Sequence, residues 1–231
     1  MPSNLKFSRL VGSTGAFEQM IQKFGVVTVM NADVYETSAL GTAVTFDGKM
    51  DAGQILSALG SATTIASIDS LKIANITQEG PTKTVTGGQY SNPLIKFGKS
   101  ARLEMQDALG RADALDALCG TISEAAAATG SVDYTKVHAV HVGEDFNSTK
   151  TIVGDTFFID QVSGQQVKAK VILYQFLPDS IFNLTQDAEG DATVFDMNGD
   201  LLTTTIGIHD INGSLKPHGV FYSIVDPTEA E

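Results

Sequence analysis

The sequence predicts a mainly β fold with short helices, an antiparallel sandwich or barrel. Three observations predict it: runs of alternating apolar and polar residues recur along the chain, glycine-containing pairs suited to tight turns lie between several of them, and helical periodicity is confined to short stretches.

Phe17, Met20, Ile21 and Phe24 fall at helical spacing, with Thr14 placed as N-cap and Gly25 as C-cap. Thr42-Ala43-Val44-Thr45-Phe46 reads as a strand leading into Asp47-Gly48, a pair that tolerates the positive φ of a tight turn. Asp51 is positioned to cap a helix carrying Ile55, Leu56 and Leu59 and ending at Gly60. Residues 75–99 are rich in Gly, Pro, Thr and Asn, and read as a long loop. Loops of that length are uncommon unless they have a task or are disordered.

Ala101, Leu103 and Met105 alternate with Arg102, Glu104 and Gln106, which is strand period. After Gly110, Ala112, Leu115 and Leu118 form a helical stripe stopped by Gly120. The reading is therefore strand, turn and a short helix; one helix through 101–120 is the alternative. The alanine-rich run 124–131 reads as a helix end and connector, and Val137–Val142 as a strand. Farther on, 155–159 and 167–173 flank Ser163-Gly164. Lys168 and Lys170 alternate there with Val167, Ala169 and Val171, a strand with one wet face. Residues 192–195 and 201–206 flank Asn198-Gly199, which predicts a hairpin turn. Asn212-Gly213 predicts another, between 206–208 and 219–224. The chain reads as a single domain, 1–231, with a seam near 121–133 as the one candidate boundary.

The 231 residues, 42% of them hydrophobic, suffice for a core. The net charge is −12, and it is uneven: residues 171–231 carry ten carboxylates against Lys216 alone. Such a surface repels phosphate, because affinity for nucleic acid comes from Lys and Arg. Cys119 is the single cysteine, so no intramolecular disulfide forms, and its apolar surroundings mark it as a small buried hydrophobe. No run approaches the roughly 18 apolar residues of a membrane span. Met1–Lys6 open no apolar signal core. The expectation is a protein made and folded in a cytoplasm, with no membrane partner.

No catalytic signature is present: no Gly-x-Ser-x-Gly, phosphate-binding Gly-x-x-x-x-Gly-Lys, His-Glu-x-x-His or Cys-x-x-Cys. His138 and His141, three apart on a strand, point to opposite faces and do not share a metal. Asp187, Glu189 and Asp191, with Asp196 and Asp200, offer alternating oxygen ligands of the kind calcium takes. The glycine and the twelfth-position glutamate of an EF-hand are missing, and a solvated hairpin tip is the plainer reading. A glycosidase carboxylate pair lacks an aromatic platform in a chain without Trp. The expectation is a non-enzyme without cofactor or metal. Lys96, Lys99, Arg102 and Arg111 are the one basic concentration, interrupted by Glu104 and Asp107. They form a poor nucleic-acid footprint. A charge-complementary contact with the acidic surface of a neighbouring copy suits them better.

Two segments carry a resemblance. Leu71-Lys72-Ile73-Ala74-Asn75-Ile76-Thr77-Gln78-Glu79-Gly80-Pro81, through Thr86-Gly87-Gly88-Gln89-Tyr90, to the stretch from Lys96-Phe97-Gly98-Lys99 to Gly110 resembles structural proteins of tailed phages of Gram-positive bacteria. Phe176-Leu177-Pro178-Asp179-Ser180 with Asn183–Asp191 is similar to the same group. These resemble major tail, or tail tube, proteins. The likeness covers somewhat under half the chain and leaves out residues 1–65.

The resemblance implies a tail-tube-like β-sandwich with a flanking helix. Six copies would form a ring whose inner strands join into one barrel, and rings would stack into a hollow tube carrying DNA and the tape-measure protein, neither bound specifically. Sheath, baseplate and tail terminator proteins are further partners it implies, and the virion tail is the implied location. The loop at 75–99 would reach a neighbouring ring, with Gln89, Tyr90, Lys96, Lys99, Arg102 and Arg111 as inter-subunit contacts. Asp187, Glu189, Asp191, Asp196 and Asp200 would line the lumen or an interface. Tailocin tubes and other virion parts, such as head-decoration or baseplate proteins, are the alternatives; a calcium-dependent or carbohydrate-active enzyme is a more distant one. The assembly reading rests on sheet edges left open in one copy and closed by another.

Overall fold

The computed structural model describes residues 29–79, 82–84, 94–96, 100–109, 111–119, 121–124, 137–140, 148–159, 166–185, 194–210 and 212–225. Six antiparallel strands close into a barrel. In chain order they are β1 (Val29–Glu36), β2 (Ala66–Glu79), β5 (Ser100–Leu109), β8 (Lys150–Ile159), β9 (Gln166–Thr185) and β10 (Val194–Leu201). Around the barrel the order is β10-β5-β2-β1-β8-β9, and β9 pairs back onto β10.

The long β9 makes closure possible. Its first half pairs with β8, from Ile159↔Gln166 to Lys150↔Phe176, and its second half pairs with β10, from Leu201↔Phe176 to Val194↔Thr185. A further strand, β13 (Tyr222–Val225), lies along the first half of β9. Three two-stranded hairpins complete the sheet structure: β3 (Thr82–Thr84) with β4 (Leu94–Lys96), β6 (Thr121–Glu124) with β7 (Val137–Val140), and β11 (Thr204–His209) with β12 (Leu215–Val220).

The barrel is filled, as a six-stranded barrel must be. Val34, Ile68, Leu71, Leu103, Met105, Ile152, Leu173, Phe176, Phe195 and Met197 point inward and are buried. Helix α2 (Ala112–Cys119) adds Ala114 and Leu118 to the same core. Bulges keep the inward set in phase. On β2 the inward residues run Ala66, Ile68, Leu71, Ile73 and Ile76, because extra residues interrupt its pairing near Asp69-Ser70 and at Ala74. Ser70 there takes φ +55°, and its amide donates to Asn31 Oδ1 at 3.2 Å. Such bulges bend a strand and increase its twist, which a closed sheet requires.

A second core lies outside the wall formed by β1, β8 and the first half of β9. Tyr35, Val153, Ile172 and Tyr174 face it, and helix α1 (Ala52–Leu59) and the β11–β12 hairpin cover it with Ile55, Leu59, Ile206 and Val220. Strand β9 is thus apolar on both faces from Val171 to Tyr174. Burial pushes the Tyr174 phenol up to about 12, and its hydroxyl bonds Ser223 Oγ at 2.8 Å. No helix among the described residues is long and apolar enough to cross a membrane.

Several expectations hold. Helix α1 follows Asp51, whose carboxylate accepts the Gln54 amide while Gln54 Oε1 accepts the Asp51 amide, a reciprocal capping box. The strand at 101–105 and the helix after Gly110 are present, and Lys168 and Lys170 are exposed beside buried Ala169 and Val171. Strands β8 and β9 pair across 160–165, and Asn212-Gly213, with Gly213 at φ +78°, turns β11 into β12.

Others fall. Asn198-Gly199 is no turn but the middle of β10, paired with Glu104 and Leu103 on one side and, at Gly199, with Pro178 on the other. Ladder partners on both flanks override the local turn chemistry. Residues 42–46 form no strand: Thr42 ends a 3-10 turn, Ser38–Thr42, and Asp47 makes a single bridge to Thr205. The segment 75–99 is not one loop. Its first residues extend β2 to Glu79 against Ser100, and β3 pairs with β4 beyond, so its described parts form a β-hairpin arm. The helix expected at 17–24, the connector at 125–131 and His141 lie outside the described residues. The sheet also does not wait for another copy to close its waist, because the barrel closes within one chain.

Candidate assembly surfaces

Four strands run on past the closed waist. Among the described residues, β2 pairs with β1 as far as Lys72↔Val29, Val29 being the first of them, and β2 continues to Glu79 against β5. Pairing of β9 with β8 ends at Phe176↔Lys150, yet β9 continues to Thr185 against β10. Hence β2-β5-β10-β9 form a four-stranded antiparallel extension. Among the described residues, its two outer strands carry no ladder partner on their far sides, over 73–79 of β2 and 177–185 of β9. Irregularities shorten the regular stretches. The β2 register shifts at Ala74, and on β9 the residues between Pro178 and Phe182 outnumber those opposite on β10. A proline and a bulge are common devices for blunting an edge. Among the described residues, regular backbone without a ladder partner on its far side remains at 75–79 and at 182–185.

Among the described side chains the outward face of this wall is mostly polar, with Leu177 and Val194 half-buried on it. Thr77, Arg102, Gln106, Asn198 and Asp200 are exposed, and Glu104, Asp179 and Asp196 are half-buried. Arg102 ties three strands together. Its guanidinium bonds Asp179 on β9, and its Nη1 lies 3.4 Å from Asp200 Oδ1 on β10.

The expected basic and acidic sets therefore meet within one chain. Arg102 pairs with Asp200, a member of the acidic set. Arg111 pairs with Asp113 and lies 3.6 Å from Asp69, which raises its pKa. Complementarity between copies was expected for these two arginines; the described contacts are internal. Lys96 stands on β4 in the arm. Gln89, Tyr90, Lys99, Asp187, Glu189 and Asp191 lie outside the described residues. Asp196 and Asp200 stand on β10, on the outward face of the wall and not at a hairpin tip.

Open sheet edges were expected from the sequence, but not which strands carry them. A signal was present in the length of the strand-forming segments at 66–79 and 166–185, 14 and 20 residues against about 5–6 in an ordinary strand. Among the described residues no group of three or more His, Cys, Asp or Glu side chains comes together to hold a metal.

The arrangement defines a class: a helix-plugged, six-stranded antiparallel barrel with a four-stranded extension whose outer strands have, among the described residues, no ladder partner on their far sides. The chain matches no protein-family model, and no curated protein is significantly similar to it.

Proposed function

We propose that the chain is a non-enzymatic structural subunit that assembles with copies of itself into rings, as the tube protein of a phage tail. The four-stranded extension carries this reading. Its open edges face opposite ways, so copies can join head to tail, the β9 edge of one against the β2 edge of the next. Heterologous contacts of this kind close into rings or grow into filaments. An even number of antiparallel strands keeps the alternation of direction across every seam. The regular described stretches at 75–79 and 182–185 are five and four residues long.

In a ring the polar wall faces the lumen. Among its described side chains carboxylates outnumber cations, with Glu104, Asp179, Asp196 and Asp200 against Lys72 and Arg102. DNA carries roughly one charge per 1.7 Å. A wall of like sign within a Debye length of about 8–10 Å leaves DNA free to slide. The β3–β4 hairpin lies between β2 and β5 in the chain and is the element we assign to reach a neighbouring ring. The resemblance of 71–110 and 176–191 to tail tube proteins supports the same reading. It implies six-fold rings, a tape-measure protein and DNA as cargo, and a place in the virion tail.

Negative-stain microscopy of the purified protein at rising concentration tests the proposal. Rings or hollow filaments are expected, and Thr77→Lys, which charges the β2 edge strand, reduces them. A strictly monomeric species at high concentration overturns the reading.

A further inference from the structure

Outside the wall just described, one side-chain cluster joins two elements that share no strand ladder. His209 closes β11, and its ring stands between the hairpin loop and helix α1. Nδ1 lies 3.0 Å from the Gly213 carbonyl, and Nε2 lies 3.0 Å from Asp51 Oδ2. Asp51 is the N-cap of α1 and holds the Gln54 amide through its other oxygen.

A carbonyl oxygen only accepts, and an ionised carboxylate only accepts. A neutral imidazole has a single N–H and satisfies one of the two; the imidazolium satisfies both. The proton does not come from Asp51, because the Gln54 amide and then His209 hold its carboxyl below the usual range. We infer that His209, as an imidazolium, is a pH-sensitive latch that fastens the β11–β12 hairpin to the N-terminus of α1 over the second core.

The surrounding charges agree. On the hairpin, Asp210 faces His209; it takes the Asn212 and Ser214 amides on Oδ1 and Lys216 on Oδ2 at 2.7 Å. On the segment before α1, Asp47 and Lys49 pair with each other at 2.9 Å. The Gly213 carbonyl first, then Asp51, raises the His209 pKa. A raised folded value means that the latch contributes fully below the ordinary histidine range and is lost as pH rises through the folded value. Asp51, held low, stays ionised throughout that window. The hairpin thus loosens toward alkaline pH while the barrel, which has no part in this contact, does not. This inference does not rest on the assembly reading.

Hydrogen exchange read by mass spectrometry, on the full chain from about pH 5 to 8, tests it. Exchange at the imidazole C2 carbon reports the protonation of His209, and amide exchange in 204–220, corrected for its intrinsic pH dependence, reports opening of the hairpin. His209 is expected to titrate above the ordinary histidine value, with hairpin exchange rising several-fold across the same range and β9 amides unchanged. Asp51→Asn, which keeps a good N-cap, is expected to lower the titration and flatten the hairpin's pH response; His209→Gln flattens it also. A titration unmoved by Asp51→Asn, or hairpin and β9 amides that follow one pH curve, overturns the latch.

Discussion

The ring of Phe176 lies against the α-carbon of Gly199, so β9 and β10 approach where no side chain stands between them. A Cβ built on Gly199 would stand 2.6 Å from Phe176 Cζ and closer still to the Leu177 carbonyl oxygen. This contact sits where β9 passes from β8 to β10, at the point of barrel closure.

Gly199→Ala is therefore expected to destabilise the protein by about 1–3 kcal/mol, the usual cost of overpacking. The methyl meets backbone as well as ring, and backbone does not yield as a flexible side chain does. Gly213→Ala has open space around it and strains only the positive φ, at about 1–2 kcal/mol. Denaturant unfolding of both variants, with a Phe176→Leu background that relieves Gly199→Ala alone, separates the two causes. Failure of that background to rescue even in part would remove the ring contact as the cause and leave the Leu177 carbonyl.

Leu118 is fully buried where α2 meets the barrel interior, whereas Leu115 on the same helix is half-buried. Leu118→Ala should cost about 2–5 kcal/mol, because the closed barrel collapses poorly around a void. Leu115→Ala should cost clearly less. Equal losses in urea unfolding would show that α2 does not plug the core as described.

Ser70 holds φ +55° in the β2 bulge while its side chain is exposed. An L-residue pays about 1–2 kcal/mol to sit there, and glycine's extra unfolded-state freedom offsets roughly half. Ser70→Gly is thus expected to raise stability by about 0.5–1 kcal/mol, and Ser70→Val to lower it. A loss of stability in Ser70→Gly, seen by thermal unfolding, would contradict this strain.

Arg102 bridges Asp179 and Asp200, but its side chain is 48% exposed. Exposed pairs contribute little, so Arg102→Ala should change unfolding stability by under about 1 kcal/mol. Its larger effect falls on the wall's charge. If copies join through this extension, the variant needs more salt to assemble, because screening must replace the lost cation. Sedimentation at low and high salt reads this out; an unfolding loss well above that bound with no change in salt dependence would make Arg102 a stability residue instead.

The residues most readable in the sequence act through their immediate neighbours. The alternation of Ala101, Leu103 and Met105, and of Ala169 and Val171 with Lys168 and Lys170, determined strands with one dry face. Asp51 with Gln54 determined where α1 begins, and Asn212-Gly213 determined a turn, since capping and turn chemistry operate within a few residues. The tertiary structure decided the rest. It drew Asn198-Gly199 into a strand because β5 and β9 supply ladders on both sides. It left 42–46 without a partner strand, converted part of 75–99 into a hairpin arm, and brought β9 back onto β10 to shut the barrel. It also paired Arg102 with Asp200, 98 positions apart, which no local pattern announces. Which strand lies beside which depends on summed long-range burial and pairing, and those free energies do not exist until the distant segments meet.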